Sequence, residues 1–191
     1  MRPLILSAFL ILAACAPTAP PATPPEPTPP PAPATEGLIE IDLVETYPLS
    51  RADLRTFMEE NPITAFFEPS DDIAPVIGLE ILSGTWPEPG TVRRVALADG
   101  HYVIERILEN EPALFRYQIW VFTNDVGRGV EQIIGTQRFV EVDESTTRLE
   151  WTYALKPRNA LTRFFVNRQV PAVRAYLQSG IDGMRAALSE Q

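Results

Sequence analysis

The chain has one cysteine (Cys15), one histidine (His101) and one lysine (Lys156) in 191 residues. Each scarcity excludes something. A lone cysteine forms no intramolecular disulfide. One histidine and no cysteine pair leave no set of residues at zinc-ligand spacing, and no metal or other cofactor is implied. No Ser-His-Asp arrangement, G-x-S-x-G turn or glycine-rich phosphate loop is present. There is no apolar run near the ~20 residues that a membrane-spanning helix needs. Positive charge is also scarce, with 16 Lys and Arg against 25 Asp and Glu and a formal net charge of −9. A nucleic-acid partner requires a basic footprint that this chain lacks. Electrostatic adhesion to anionic lipid is excluded on the same ground.

What is present begins at the N-terminus. Arg2 precedes a short apolar run, residues 4–12, and then Leu12-Ala13-Ala14-Cys15. A charged start, a short apolar stretch and small residues before a cut site mark a processed export signal. The arrangement resembles a bacterial lipoprotein signal peptide, whose lipobox ends in the cysteine that becomes the lipid-bearing N-terminus. The resemblance implies that residues 1–14 are removed and that Cys15 carries a diacyl or triacyl (palmitate-type) anchor. Two or more acyl chains hold a protein at a membrane stably. The resemblance further implies a place in the cell envelope. Ala16, in place of the aspartate that favours inner-membrane retention, points to the outer membrane facing the periplasm. Losing Arg2 leaves 15 basic against 25 acidic residues, a formal −10.

Residues 16–36 form a second unit. Ten of the 20 prolines lie between Pro17 and Pro33, mixed with Ala and Thr. Proline fixes φ and removes the backbone donor, so this stretch is expected to be a semi-rigid polyproline II spacer. At ~3.1 Å per residue it would reach about 65 Å. Residues 37–191 then make one domain of ordinary size.

The domain reads in a clear order. Residues 37–47 (GLIEIDLVETY) alternate apolar and polar as a strand does. Ser50 and Asp53 resemble a capping box, with Leu54, Phe57 and Met58 on one face of the helix that follows. Asn61-Pro62 ends that helix, and residues 63–67 form a short apolar piece. Residues 76–82 are β-prone, and TWPEPG (85–90) is a loop by its Pro and Gly content. Strand-like runs follow at 92–97, 101–108, 114–123, 132–142 and 147–155, with turn residues between them. Short connections predict antiparallel hairpins. After Pro157, Leu161, Phe165, Gln169, Val173, Leu177, Ile181, Met184 and Leu188 recur at helical spacing. They predict one long amphipathic helix, kinked or split at Pro171.

An α+β fold follows, in which a curved antiparallel sheet of about seven strands covers the long helix. The order resembles the START-like, Bet v1-type helix-grip fold. The middle of the chain is similar to its polyketide cyclase/dehydrase-like (SRPBCC) branch. The residues that carry the likeness are Gly90-Thr91-Val92-Arg93, Asp99-Gly100, Glu105-Arg106-Ile107-Leu108, Tyr117-Gln118-Ile119 and Leu149-Glu150-Trp151. A similar G-x-x-R…E-R-L hairpin occurs in the plant abscisic-acid receptors of this fold. The likeness spans about residues 38 to 189. The glycine-rich loop that follows the second strand of the pollen-allergen members is missing.

The hairpin at Asp99-Gly100 admits two registers. A two-residue turn pairs Arg94 with Glu105. A type I turn with Gly100 in a left-handed bulge pairs Arg93 with Glu105, and is favoured. The second places Arg93, Val95, Leu97, His101, Val103, Glu105 and Ile107 on one face. That face is either a cavity wall, as the receptors' matching glutamate implies, or solvent, with Arg93–Glu105 an ordinary cross-strand pair. On later strands Phe115, Tyr117, Ile119 and Val121 share a face, as do Leu149, Trp151, Tyr153 and Leu155. The receptors would instead turn Glu150 inward. His101, beside a turn, is expected to be exposed or half-exposed.

The candidate ligand-binding residues are therefore Arg93, Val95, Glu105, Tyr117, Ile119, Trp151 and Tyr153. The favoured function is a binding module for a hydrophobic or amphipathic small molecule or lipid. A cyclase- or aromatase-like enzyme is a second reading. It would use Glu105 or His101 as acid or base and Tyr117 or Arg93 to stabilise charge. A third is an envelope scaffold whose cavity is filled by side chains.

Overall fold

The computed structural model describes residues 19–21, 28–68, 70 and 73–190. Cys15 and the export signal expected around it lie outside the described residues. The chain builds seven strands: β1 (Ile39–Tyr47), β2 (Val76–Ser83), β3 (Val92–Leu97), β4 (Tyr102–Glu111), β5 (Leu114–Trp120), β6 (Val130–Asp143) and β7 (Thr146–Pro157). Helix α1 (Arg51–Glu60) and a 3₁₀ turn (Ile63–Phe66) follow β1, and helix α2 (Ala160–Ser189) ends the fold. A second 3₁₀ turn (Val126–Gly129) links β5 to β6.

The strands form one antiparallel sheet in the order β1-β7-β6-β5-β4-β3-β2. Hairpins account for every neighbour except β1, which returns from the other end of the chain to pair with β7. The sheet wraps around α2, which makes this the helix-grip fold expected from the element order.

Local chemistry explains the boundaries. The Ser50 hydroxyl accepts the Asp53 amide at 3.2 Å and starts α1. Asn159 and Thr162 exchange side-chain and backbone bonds in a capping box that starts α2. Gly100 sits at φ 82°, and the Leu97 amide bonds the His101 carbonyl at 2.8 Å. The hairpin thus uses the favoured register, with Arg93 opposite Glu105.

The long helix departs from its predicted stripe. Pro171 lies inside α2, which continues through it as one 30-residue helix. In its first half Leu161 and Phe165 point outward, and Val166 and Val170 meet the sheet instead. Spacings of four and three from Val166 through Val170 and Val173 to Leu177 are as helical as the predicted set, and they are the ones that face β1 and β7. Leu161, Phe164 and Phe165 remain exposed.

The main core lies between α2 and the inner face of the sheet. It joins Ile41, Leu43, Ile133, Trp151 and Leu155 to Val173, Leu177 and Ile181. A second cluster seats α1 at one end, through Leu54, Phe57, Tyr47, Phe139, Leu149 and Met184. A third joins Tyr102, Ile104 and Trp120, which stand on the outer face of the sheet. Val121, expected on the inner face, belongs to this outer cluster. The strand stops at Trp120, and Val121 takes φ 55°, which ends the alternation.

The spacer does not stand clear of the domain. Its described second half, residues 28–36, lies against the outer face of the sheet. Lys156 Nζ donates to the Glu36 carbonyl at 2.7 Å, and Trp120 Nε1 to the Thr28 carbonyl at 2.9 Å.

Candidate ligand cavity

A cavity of about 250 Å³ opens between the inner face of the sheet, α2 and the first 3₁₀ turn. All seven residues singled out from the sequence line it. Arg93 and Val95 come from β3, Glu105 from β4, Tyr117 and Ile119 from β5, and Trp151 and Tyr153 from β7. Strand alternation explains this. Tyr117 faces Ile107 on one side and Gly135 on the other, and Trp151 and Tyr153 flank Thr152, which points away. Glu150 does not turn inward. It pairs with Arg148 outside, at 2.8 Å.

One glycine makes the room. Tyr117 lies flat over Gly135, so closely that a Cβ added there would meet its Cζ at 1.9 Å. The ring is fixed from its far end as well, because Trp151 Nε1 donates to the Tyr117 hydroxyl at 3.1 Å.

The cavity wall holds a buried ion pair. Arg93 Nη2 stands 2.7 Å from Glu105 Oε1, with only 11% and 8% of the two side chains exposed. Trp86 covers the guanidinium, its ring centroid 3.7 Å from Arg93 Cζ. Burial raises the proton affinity of Glu105 above the ordinary carboxylate range, and the charge and hydrogen bond of Arg93 oppose that rise. Burial also pushes the Tyr117 and Tyr153 phenols up, and the negative charge of Glu105 adds to both. Both phenols are therefore neutral and keep an O–H at physiological pH. The Arg93 Nε–H is buried without a partner in the protein. Such a group needs explaining, since most buried donors are satisfied.

His101 is not where the sequence reading put it. It is buried at 6% exposure, with Nδ1 3.1 Å from Thr123 Oγ1, and it stands outside the cavity. The turn beside it is capped by Asp99, and the segment after β5 folds back over the ring. Among the described residues, no three His, Cys, Asp or Glu side chains are placed to hold a metal ion.

Trp86, Arg55 and Gln137 are among the cavity residues that the sequence reading did not single out. Trp86 lies in the TWPEPG loop, where a large aromatic amid turn residues was the available signal. Arg55 on α1 packs over Phe139 at 4.8 Å and bonds Asn110, whose own amide donates to the Pro87 carbonyl. This chain of contacts ties α1 to the Trp86 loop across one side of the cavity. Gln137 on β6 lines the wall between Phe115 and Trp151, and it followed from the alternation of β6.

A family profile described as polyketide cyclase / dehydrase and lipid transport matches residues 74–189. Solved structures of the same shape include Ara h 8.0201, at 17% identity and TM-score 0.57, covering 81% of this chain and 100% of that one. The norcoclaurine synthase of Thalictrum flavum, solved with dopamine and hydroxybenzaldehyde, matches at 14% identity and TM-score 0.57 over 100% of this chain and 98% of that one. The protein XoxI of Bacillus cereus matches at 17% identity and TM-score 0.53, over 78% and 94%. Identities this low speak for the fold alone. No curated protein matches this chain in sequence.

Proposed function

Since the chain belongs to the polyketide cyclase / dehydrase and lipid transport family, we propose that it is a binding module. Its ligand is one hydrophobic or amphipathic small molecule or lipid, held in the cavity under α2. The observation that carries this reading is the make-up of the wall. Aromatic and aliphatic side chains surround a buried Arg93–Glu105 pair. A site of that kind takes an apolar body and orients one polar head. The unpartnered Arg93 Nε–H and the neutral Tyr153 hydroxyl are donors suited to an oxygen-bearing head group. The cavity is small for the class, since pockets for drug-sized ligands span roughly 300–1,000 Å³. The ligand is accordingly compact or enters with some side-chain movement.

We further propose that the module works on a lipid anchor at Cys15, on the periplasmic side of a bacterial outer membrane. The lipobox-like Leu12-Ala13-Ala14-Cys15 supports this reading. No helix among the described residues is long and apolar enough to cross a membrane.

The test is native mass spectrometry of the full chain purified from the envelope of its host, with organic extraction of whatever remains bound. An adduct that is lost in Arg93→Ala or Glu105→Ala identifies the ligand and its anchor point. A clean protein mass, with no uptake from a panel of lipids and quinones, refutes the reading in favour of a scaffold with a closed cavity. One observation favours an enzyme as second reading: Glu105 is a buried carboxyl with raised proton affinity. Turnover of the extracted ligand, with a pH profile that vanishes in Glu105→Gln, would establish it.

A further inference from the structure

We propose that the outer face of the sheet is a binding site for a proline-rich peptide, separate from the cavity, and that residues 28–36 of the same chain are its resident ligand. The site is built from side chains that alternation turns away from α2. Arg106 stands on β4, Gln118 and Trp120 on β5, and Gln132 on β6. These residues are hidden although they belong to the outer face. Gln118 is 0%, Gln132 2% and Trp120 3% exposed.

The contacts read the backbone of the segment. Trp120 Nε1 donates to the Thr28 carbonyl at 2.9 Å. Gln118 Nε2 and Arg106 Nη2 both donate to the Pro31 carbonyl, at 3.2 and 3.3 Å. Gln132 binds the chain from both sides. Its Nε2 donates to the Ala32 carbonyl and its Oε1 accepts the Ala34 amide, each at 3.1 Å. Arg106 Nε in turn donates to Gln118 Oε1 at 2.8 Å, which holds the row of donors in place. Pro30, Pro31 and Ala34 are half-buried and the residues between them exposed, so one edge of the segment is seated.

The chemistry fits an extended, proline-rich backbone, since four of the five contacts take up carbonyls. A proline has no amide donor, so its carbonyl is its only polar backbone group. A polyproline II chain makes no internal hydrogen bonds and displays those carbonyls outward. Indole and carboxamide donors beside an aromatic surface are what such a ligand requires. The segment supplies the acceptors as it covers these donors, so the Trp120 indole and the Gln132 Nε2 are buried and satisfied together.

A tethered ligand has an effective concentration on the order of millimolar, so an added peptide does not displace it. The test therefore loosens the resident segment first. In the full chain, held in detergent, exchange of the Trp120 indole proton and the Ala34 amide is followed by NMR. Both are expected to be slowed about tenfold or more relative to an exposed group. In a chain carrying Pro29→Ser, Pro30→Ser, Pro31→Ser and Pro33→Ser, both are expected to exchange freely. Added synthetic peptide of the sequence of residues 28–36 should slow the indole again. Free exchange in the native chain, or no effect of the peptide, overturns the proposal. Trp120→Phe serves as a second variant, keeping the apolar ring but not the donor. It should speed exchange at Ala34 severalfold while leaving the β6–β7 amides unchanged, and an unmoved Ala34 equally overturns it. Sedimentation decides the occupant, since a dimer that exchanges its segments would refute binding within one chain.

Discussion

Breaking the Arg93–Glu105 pair from its two sides should give unequal results. The two groups stand 2.7 Å apart and are nearly excluded from solvent. Removing one partner of such a pair leaves the other as an uncompensated buried charge, at a cost of about 3–5 kcal/mol. In Arg93→Met the survivor is Glu105, which escapes by taking up a proton. Its proton affinity is already raised by burial, and it rises further once Arg93 is gone. A carboxyl whose folded pKa lies above its unfolded value, near ~4.3, stabilises the fold below that value. The contribution is lost as pH rises through the folded pKa. The cost of Arg93→Met relative to the native chain should therefore shrink as pH falls from 8 towards 5, by at most ~1.4 kcal/mol per pH unit. In Glu105→Gln the survivor is a guanidinium, which does not deprotonate in this range. Its cost should not grow with pH: it falls where the native Glu105 titrates, because the variant lacks that group, and is flat above. The assay is urea unfolding of the native chain and both variants at several pH values, comparing differences so that other titrating groups cancel. Parallel profiles for the two variants would refute the reasoning. So would a cost below ~1 kcal/mol for Arg93→Met, the behaviour of a surface ion pair.

Other outcomes follow from the same geometry. Trp151→Ala should cost about 3–5 kcal/mol in chemical unfolding, as a large truncation in the core. Trp151→Phe should cost clearly less, although it frees the Tyr117 hydroxyl. Gly135→Ala should cost about 1–3 kcal/mol, because the new methyl collides with the Tyr117 ring. It should also weaken uptake of an apolar fluorescent probe, since the displaced ring has only the cavity to enter. Val95→Trp should fill the cavity and abolish probe uptake at near-native melting temperature. Retained uptake would place the probe elsewhere.

Much of this was legible because alternation is unforgiving. Once Gly100 was read as a left-handed bulge, a single register put Arg93 opposite Glu105, and the inner faces of β3, β4, β5 and β7 followed. The errors occur where the period breaks. Val121 left the inner face because the strand ended one residue earlier. His101 became buried because residues 121–123 fold back over it, a long-range event with no local signal. The first half of α2 offered two equally helical stripes, and only the position of the sheet chose between them. Trp86 and Arg55 reach the cavity from a loop and from the flank of a helix, where neither period applies. The seated proline segment was hidden for another reason. A run that reads as unable to join a sheet can still bind one from the side, and the groups that receive it lie some 70 to 100 residues away in sequence.

The seated segment also bears on how the domain would be carried. Thr28 is bonded at the end of β5, and α2 begins just beyond the end of β7. Strands β5 and β7 both run antiparallel to β6, so those two ends lie at the same pole of the molecule. That pole also bears the uncovered Leu161, Phe164 and Phe165. Pro20 also stands against Gly100 in the turn between β3 and β4, so if Cys15 holds a lipid its reach from the domain is well short of the ~65 Å of a fully extended spacer. The chain would then hang from a fixed point with its greasy pole towards the bilayer, a mooring with a heading as well as a length.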